Sequence, residues 1–174
     1  MKYAKHIQNL LNLEGVNLDP RKDASHYYQA MCRLLQASDC TIDRIAPYLT
    51  APVAPLEYGR NQIYCSDLFE VIVLHVPPNV ETPIHDHGEA CCCVHVIKGS
   101  TLNRVYRKGA DESLHILSSN HFAAGEFFYS PHGQIHSMYN PTDQPFVTLH
   151  VYTPPISGNH IYPHNVLQSH KEGV

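Results

Sequence analysis

The spacing of apolar residues changes character once along this chain. Up to about residue 46 they recur at steps of three and four. Ala4, Ile7 and Leu11 share one helical face, and Gly15 stands where a stop is expected. Asp19-Pro20 reads as the opening of a second helix, an N-cap followed by proline in the first turn. Tyr27, Met31, Leu34 and Leu35 then line one face, and 41–46 could form a short third helix. The proline-rich stretch APYLTAPVAP, 46–55, marks the boundary.

Beyond it the period is two. YGRNQIYCS alternates, which puts Tyr58, Arg60, Gln62 and Tyr64 on one face, and LFEVIVLHV is a β-branched strand. Further strands are expected at 91–97, 101–107, 113–117, 126–129, 135–139 and 146–152, separated by Gly, Pro, Asn and Asp. Many short strands with regular turns predict a mainly β protein, a sandwich or closed barrel, under a helical N-terminal cover. No repeat or second domain is evident, so 1–174 reads as a single domain: 1–46 the cover and 56–162 the barrel. The last stretch, 157–174, is weakly patterned and is expected to fray.

Composition narrows the function. Charged residues are 16% and the net charge is −4, so no basic face for nucleic acid is expected. No apolar run approaches the roughly 20 residues of a membrane span. The first fifteen residues read as an amphipathic helix rather than a signal peptide. Six cysteines include the run Cys91, Cys92 and Cys93, whose side chains alternate across a strand and make a poor disulfide framework. Reduced thiols and a cytoplasmic setting are the expectation.

Histidine is abundant, with 14 in the chain, and abundance alone shows no metal site. Spacing says more. His85 and His87, one residue apart, face the same side of a strand, and His136 lies within GEFFYSPHGQIHSMYN. Three neutral imidazoles on one side of a metal ion leave its other side open for substrate and for oxygen or water. Cys91 and Cys93 should point away from Cys92 and pack as small apolar residues. His75, His95, His115 and His121 belong to no motif, His132 should be exposed, and His160 could approach the rim of a pocket.

At these residues the chain resembles the cupin superfamily. Gly125, Pro131, Gly133, His136 and Asn140 keep every spacing of the second cupin motif. Asn79, His85, His87, Cys92 and Gly99 keep the spacing of the first, with two departures. Asn79 replaces a glycine, and asparagine tolerates positive φ better than most residues. Cys92 replaces the usual carboxylate ligand. A divalent ion held by three neutral histidines keeps its full charge and favours a soft anionic donor such as a thiolate.

The departures resemble a narrower family, the cysteine dioxygenases. TLHVYTPP, with Thr148, His150, Tyr152 and Pro154-Pro155, is similar to that family's Ser-x-His-x-Tyr segment, and Tyr58-x-Arg60-Asn61 to its Tyr-x-Arg-Asn. The resemblance, over about residues 56–162, implies a jelly-roll-like cupin barrel with Fe(II) held by His85, His87 and His136. It implies an enzyme that uses O₂ to oxidise a small-molecule thiol, L-cysteine, to cysteine sulfinic acid. Arg60, flanked by Tyr58, would bind the substrate carboxylate. Tyr152 and His150 would serve at the reacting centre, and Cys92 could form a thioether with Tyr152. Other roles for Cys92 stay open: a free thiol beside the site, or a fourth ligand of a closed His₃Cys zinc site in a binding cupin that turns nothing over. Another small thiol such as 3-mercaptopropionate is a further alternative, since relatives acting on it carry glutamine for the arginine and Gln62 shares a strand with Arg60. A cupin isomerase or epimerase fits poorly without the carboxylate. The sequence does not indicate the oligomeric state.

Overall fold

The computed structural model describes residues 2–14 and 19–163. They form helices α1 (Lys2–Glu14), α2 (Ala24–Ala37) and α3 (Ile42–Ile45), a 3-10 turn at Ala46–Tyr48, and ten strands. The strands are β1 (Gly59–Cys65), β2 (Glu70–Val76), β3 (Ile84–His85), β4 (Cys91–Lys98), β5 (Ser100–Lys108), β6 (Leu114–Ala123), β7 (Phe127–Ser130), β8 (Ile135–Tyr139), β9 (Phe146–Thr153) and β10 (Ile161–Tyr162). They pair antiparallel into two five-stranded sheets, ordered β1-β2-β9-β4-β7 and β10-β3-β8-β5-β6. This is the mainly β architecture that the period-two pattern predicts, with the cupin-type barrel that the motif resemblance implies.

β9 shows how the sequence builds the layers. All eight of its residues are buried. Val147, Leu149 and Val151 point outward into a cluster with Ile7, Leu11, Met31, Leu34 and Leu35 of the helices. Each such side chain, taken out of water, contributes roughly 1.5–3 kcal/mol. The alternate residues Thr148, His150 and Tyr152 point into the barrel. β2 divides likewise, with Val71 and Val73 under the helices and Ile72, Leu74 and Val76 inside. Among the described residues nothing comparable covers the edge of the second sheet, where Ile116 and Leu117 of β6 are exposed.

Four local expectations change. α2 begins at Ala24, capped by Asp23, whose carboxylate accepts the His26 N–H (2.9 Å). Asp19 instead shapes the turn before it by accepting the Arg21 N–H (3.0 Å), a role that Asp-Pro fills as readily as a helix start. The register of β1 shifts between Gln62 and Tyr64. Such a shift breaks the alternation, so Tyr64 packs against the helical cover, where its hydroxyl donates to Asn12 (3.1 Å). β6 continues to Ala123 rather than ending near residue 117, because its whole length pairs with β5. The stretch after Ser157 does not fray as far as residue 163: Ser157 bridges to Gly88 and β10 pairs with β3. Gly15 and residues 164–174 lie outside the described residues. No described helix is long and apolar enough to cross a membrane.

Candidate metal centre

His85 ends β3 and stands opposite His136 of β8 in the sheet register. His87 lies past the end of that two-residue strand, so strand alternation alone does not bring it to the same side. The turn does. The Asp86 carboxylate accepts the N–H groups of Gly88 (3.0 Å) and His160 (2.9 Å) and the Tyr162 hydroxyl (2.9 Å). Gly88 has φ +59°, and a Cβ there would strike the Ser157 carbonyl oxygen. Only glycine serves this turn without strain. Residues 157–162 thus clasp the turn that carries His87. Upstream, Asn79 has φ +58°, the left-handed conformation its place in the motif requires.

The ligand atoms of His85, His87 and His136 lie within 4.8 Å of one another. His85 donates Nδ1–H to the Pro83 carbonyl (2.7 Å) and His136 donates Nδ1–H to Asn103 Oδ1 (2.8 Å). A neutral imidazole carries one proton, so in both rings Nε2 presents a lone pair. The Nε2 atoms of His136 and His87 are 3.0 Å apart. Two nitrogens bound at right angles, each about 2.1 Å from one ion, would be separated by about 3.0 Å. Burial lowers the pKa of all three rings, with their mutual repulsion adding at His87 and His136; His87 falls to about 3. They are therefore neutral, as metal ligands must be. His87 Nδ1 is buried without a partner. Among the described residues no cysteine or carboxylate joins this cluster, so a transition metal held here would keep open coordination positions.

A cavity of about 290 Å³ opens on the cluster. Its walls come from both sheets: His85 and His136 from one, Arg60, His150 and Tyr152 from the other, with Tyr58 just before β1. Among the described residues Arg60 is the one Lys or Arg on the lining, and Gln62 is absent from it. His150 Nε2 pairs with the Thr148 hydroxyl (2.9 Å) and its Nδ1 with the Tyr152 hydroxyl (3.2 Å). The expected alternation 148-150-152 therefore forms a continuous hydrogen-bonded row. Burial, then the neighbouring histidines, hold His150 well below its ordinary pKa, while burial raises Tyr152. Tyr58 is also raised by burial, against a lowering by Arg60.

Cys92 is fully buried and stands directly across from Tyr152 between β4 and β9. Its Sγ hydrogen-bonds His150 Nδ1 (3.7 Å), beside the Tyr152 phenol. Cys93 faces the helical cluster instead, as alternation requires. His132 is exposed beside Glu89 (3.5 Å), and His160 sits outside the cavity with its ring 3.4 Å from Asp86. Four residues that support the site carried no motif: Pro83, Asp86, Asn103 and Glu70. The Glu70 carboxylate accepts from Arg60 Nη2 (3.5 Å) and from the Ile156 N–H (3.0 Å).

The profile of cysteine dioxygenase type I matches residues 35–165. The chain belongs to the cysteine dioxygenase type I family. The match spans the end of α2, the whole barrel and every residue of the site described above. Solved structures agree on the fold. An uncharacterized conserved protein with a double-stranded β-helix domain from Klebsiella pneumoniae is 24% identical, with TM-score 0.54 over 68% of this chain and 94% of that one. TT1209 from Thermus thermophilus is 17% identical, with TM-score 0.52 over 67% and 96%. The Cnp3 cupin domain of Schizosaccharomyces pombe is 12% identical, with TM-score 0.52 over 63% and 71%. Family membership and the three-histidine cluster together give a metal-binding cupin of the dioxygenase type.

Proposed function

We propose that this protein is an iron-dependent thiol dioxygenase that converts L-cysteine and O₂ to cysteine sulfinic acid. The observation that carries the reading is one cavity that opens on the three-histidine cluster through His85 and His136 and has Arg60 on its other wall. His85, His87 and His136 would hold Fe(II), which when bound lets the thiolate sulfur and dioxygen react. The four electrons lost by sulfur are those gained by O₂, and both oxygen atoms end on sulfur.

The chain's own residues do the rest. The planar Arg60 fork pairs with the substrate carboxylate through two charge-assisted hydrogen bonds. That contact fixes which way the thiol faces the metal and disfavours cations in the cavity. His150, kept neutral, holds the Tyr152 hydroxyl through Nδ1, and Thr148 holds the far side of the ring. Tyr152 thereby keeps its proton on the phenol oxygen, where it can hydrogen-bond the reacting groups. Leu74, Met138 and Ile156 line the remaining wall and keep water sparse. The absence of Gln62 from the lining favours cysteine over 3-mercaptopropionate. Cys92 facing Tyr152 and His150 favours an open enzyme site over a closed His₃Cys zinc site. The six free cysteines support work in a reducing, cytoplasmic setting.

The test is direct. Protein loaded anaerobically with Fe(II) and given L-cysteine and air should consume one O₂ per sulfinate formed. Zinc-loaded protein should consume none. Absence of O₂ uptake with L-cysteine, 3-mercaptopropionate and cysteamine alike would end the dioxygenase reading.

A further inference from the structure

We propose that Glu70 is the positioning residue for Arg60 and thereby sets how strongly the cavity selects thiols that carry a carboxylate. The proposal rests on the reading of Arg60 given above and adds a residue to it. Glu70 opens β2, and its side chain is only 8% exposed, whereas that of Arg60 is 37% exposed. Arg60 therefore reaches the cavity from a partly solvated position on a long stem, and its side chain makes one protein hydrogen bond among the described residues, to Glu70 Oε1. A guanidinium has five N–H donors in a rigid fork. Glu70 takes one of them from the barrel wall. The others are left to meet a carboxylate.

The second carboxylate oxygen of Glu70 makes the arrangement more than a surface ion pair. Oε2 accepts the Ile156 N–H, and Ile156 itself lines the cavity. Glu70 also stands opposite Tyr152 in the β2–β9 register and opposite Cys65 in the β1–β2 register. One buried carboxylate thus ties together the arginine on β1, the strand beside Tyr152 and the wall segment that follows Pro154-Pro155. A buried carboxylate of this kind needs its partners, because desolvation without them is costly. Its partners, in turn, are held where it holds them.

Two effects of Glu70 oppose each other. Its negative charge weakens the pull of Arg60 on an anionic substrate. Its hydrogen bonds keep the guanidinium in the cavity, where a bidentate contact can form. The separation of 3.5 Å is long for a charge-assisted bond, so the competing attraction is weak while the placement is kept. Placement should dominate.

The experiment is a calorimetric titration of the Fe(II)-loaded protein under argon with L-cysteine and with cysteamine, which has the same thiol and amine and no carboxylate. It reads binding whether or not turnover follows. Glu70→Ala should weaken L-cysteine binding about tenfold and leave cysteamine within about twofold, with iron content unchanged. Glu70→Gln keeps an acceptor oxygen and should weaken L-cysteine about threefold; it also serves if the alanine variant does not fold. In an Arg60→Ala background, either change should add nothing for L-cysteine. Three results would overturn the proposal: equal weakening of both thiols, a full effect persisting without Arg60, or tighter L-cysteine binding in Glu70→Gln. A protein that binds L-cysteine with these preferences yet takes up no O₂ would instead refute the dioxygenase reading and leave the role of Glu70 intact.

Discussion

The two sheets contribute unlike halves to one cavity. From the sheet β10-β3-β8-β5-β6 come His85 and His136, with His87 on the turn that leaves β3. From the sheet β1-β2-β9-β4-β7 come Arg60, His150, Tyr152 and Cys92. The first half is a set of neutral lone pairs aimed at one point, with backbone and amide acceptors fixing His85 and His136 from behind. The second half is a row of hydrogen-bonding groups: Glu70 of β2 holds Arg60 of β1, and Thr148, His150 and Tyr152 hold one another along β9. The metal half can be complete without a substrate, whereas the role proposed for Arg60 begins only when an anion arrives. Damage to one half should therefore look different from damage to the other.

The largest effect should follow a change in the metal half. His136→Ala removes one of the three proposed ligands and leaves Asn103 Oδ1 without its donor. Losing even an outer partner of a ligand histidine typically costs about 10–100-fold in metal affinity or activity. Loss of the ligand itself should exceed that, so iron affinity measured by dialysis should fall by at least about 100-fold, and O₂ uptake with it. A His136→Ala protein that keeps its full iron would show that the three histidines are not one ligand set.

A change in the other half should spare the metal. Arg60→Ala deletes the charge proposed to meet the substrate. Hydrogen bonds to a charged group are worth about 1.5–3 kcal/mol, which corresponds to a rise of roughly 10–150-fold in KM for L-cysteine. Iron content should match that of the unaltered protein, and the rate at saturation should change far less. If kcat falls as far as kcat/KM, Arg60 acts at the chemical step and the division between the halves is wrong.

The halves also differ in how far the sequence discloses them. The motif around His136 keeps a five-point spacing that chance seldom produces, and both sheets follow from the period-two runs. β9 was legible in full, because its outward valines and leucine and its inward Thr148, His150 and Tyr152 alternate without interruption. β1 was not: the shift between Gln62 and Tyr64 leaves no sign in residue type, so the alternation that placed Arg60 misplaced Tyr64. His87 reached its position through a turn held by Asp86, Tyr162 and Gly88 rather than through a strand. The contacts of Asp86 with His160 and Tyr162 join residues more than seventy positions apart, and local patterning carries no trace of them. Glu70 and Asn103 were missed for a related reason, since each is chosen by a partner on the neighbouring strand, Arg60 of β1 for Glu70 and His136 of β8 for Asn103.

The smallest effect concerns Cys92, and it tests whether the second half is held by more than hydrogen bonds. Cys92 and Tyr152 are cross-strand partners, and the buried sulfur contacts the phenol. Burial raises the pKa of this thiol, and among the described residues its sulfur stands outside the three-histidine cluster. A thioether between Sγ and the ring carbon next to the hydroxyl would release two hydrogens, with dioxygen as their acceptor. It would lock the ring of Tyr152 against β4 at the angle that meets the cavity. After turnover with iron, L-cysteine and O₂, intact-mass spectrometry should show a fraction of the protein lighter by two hydrogens, and Cys92→Ser should show none. The serine variant should keep its iron and lose activity by less than about tenfold, because Tyr152 is still held by His150. An unchanged mass in protein that has turned over many times would mean that Tyr152 is positioned by His150 and burial alone. The second half would then be ordered by the same weak, reversible contacts that make it responsive to substrate.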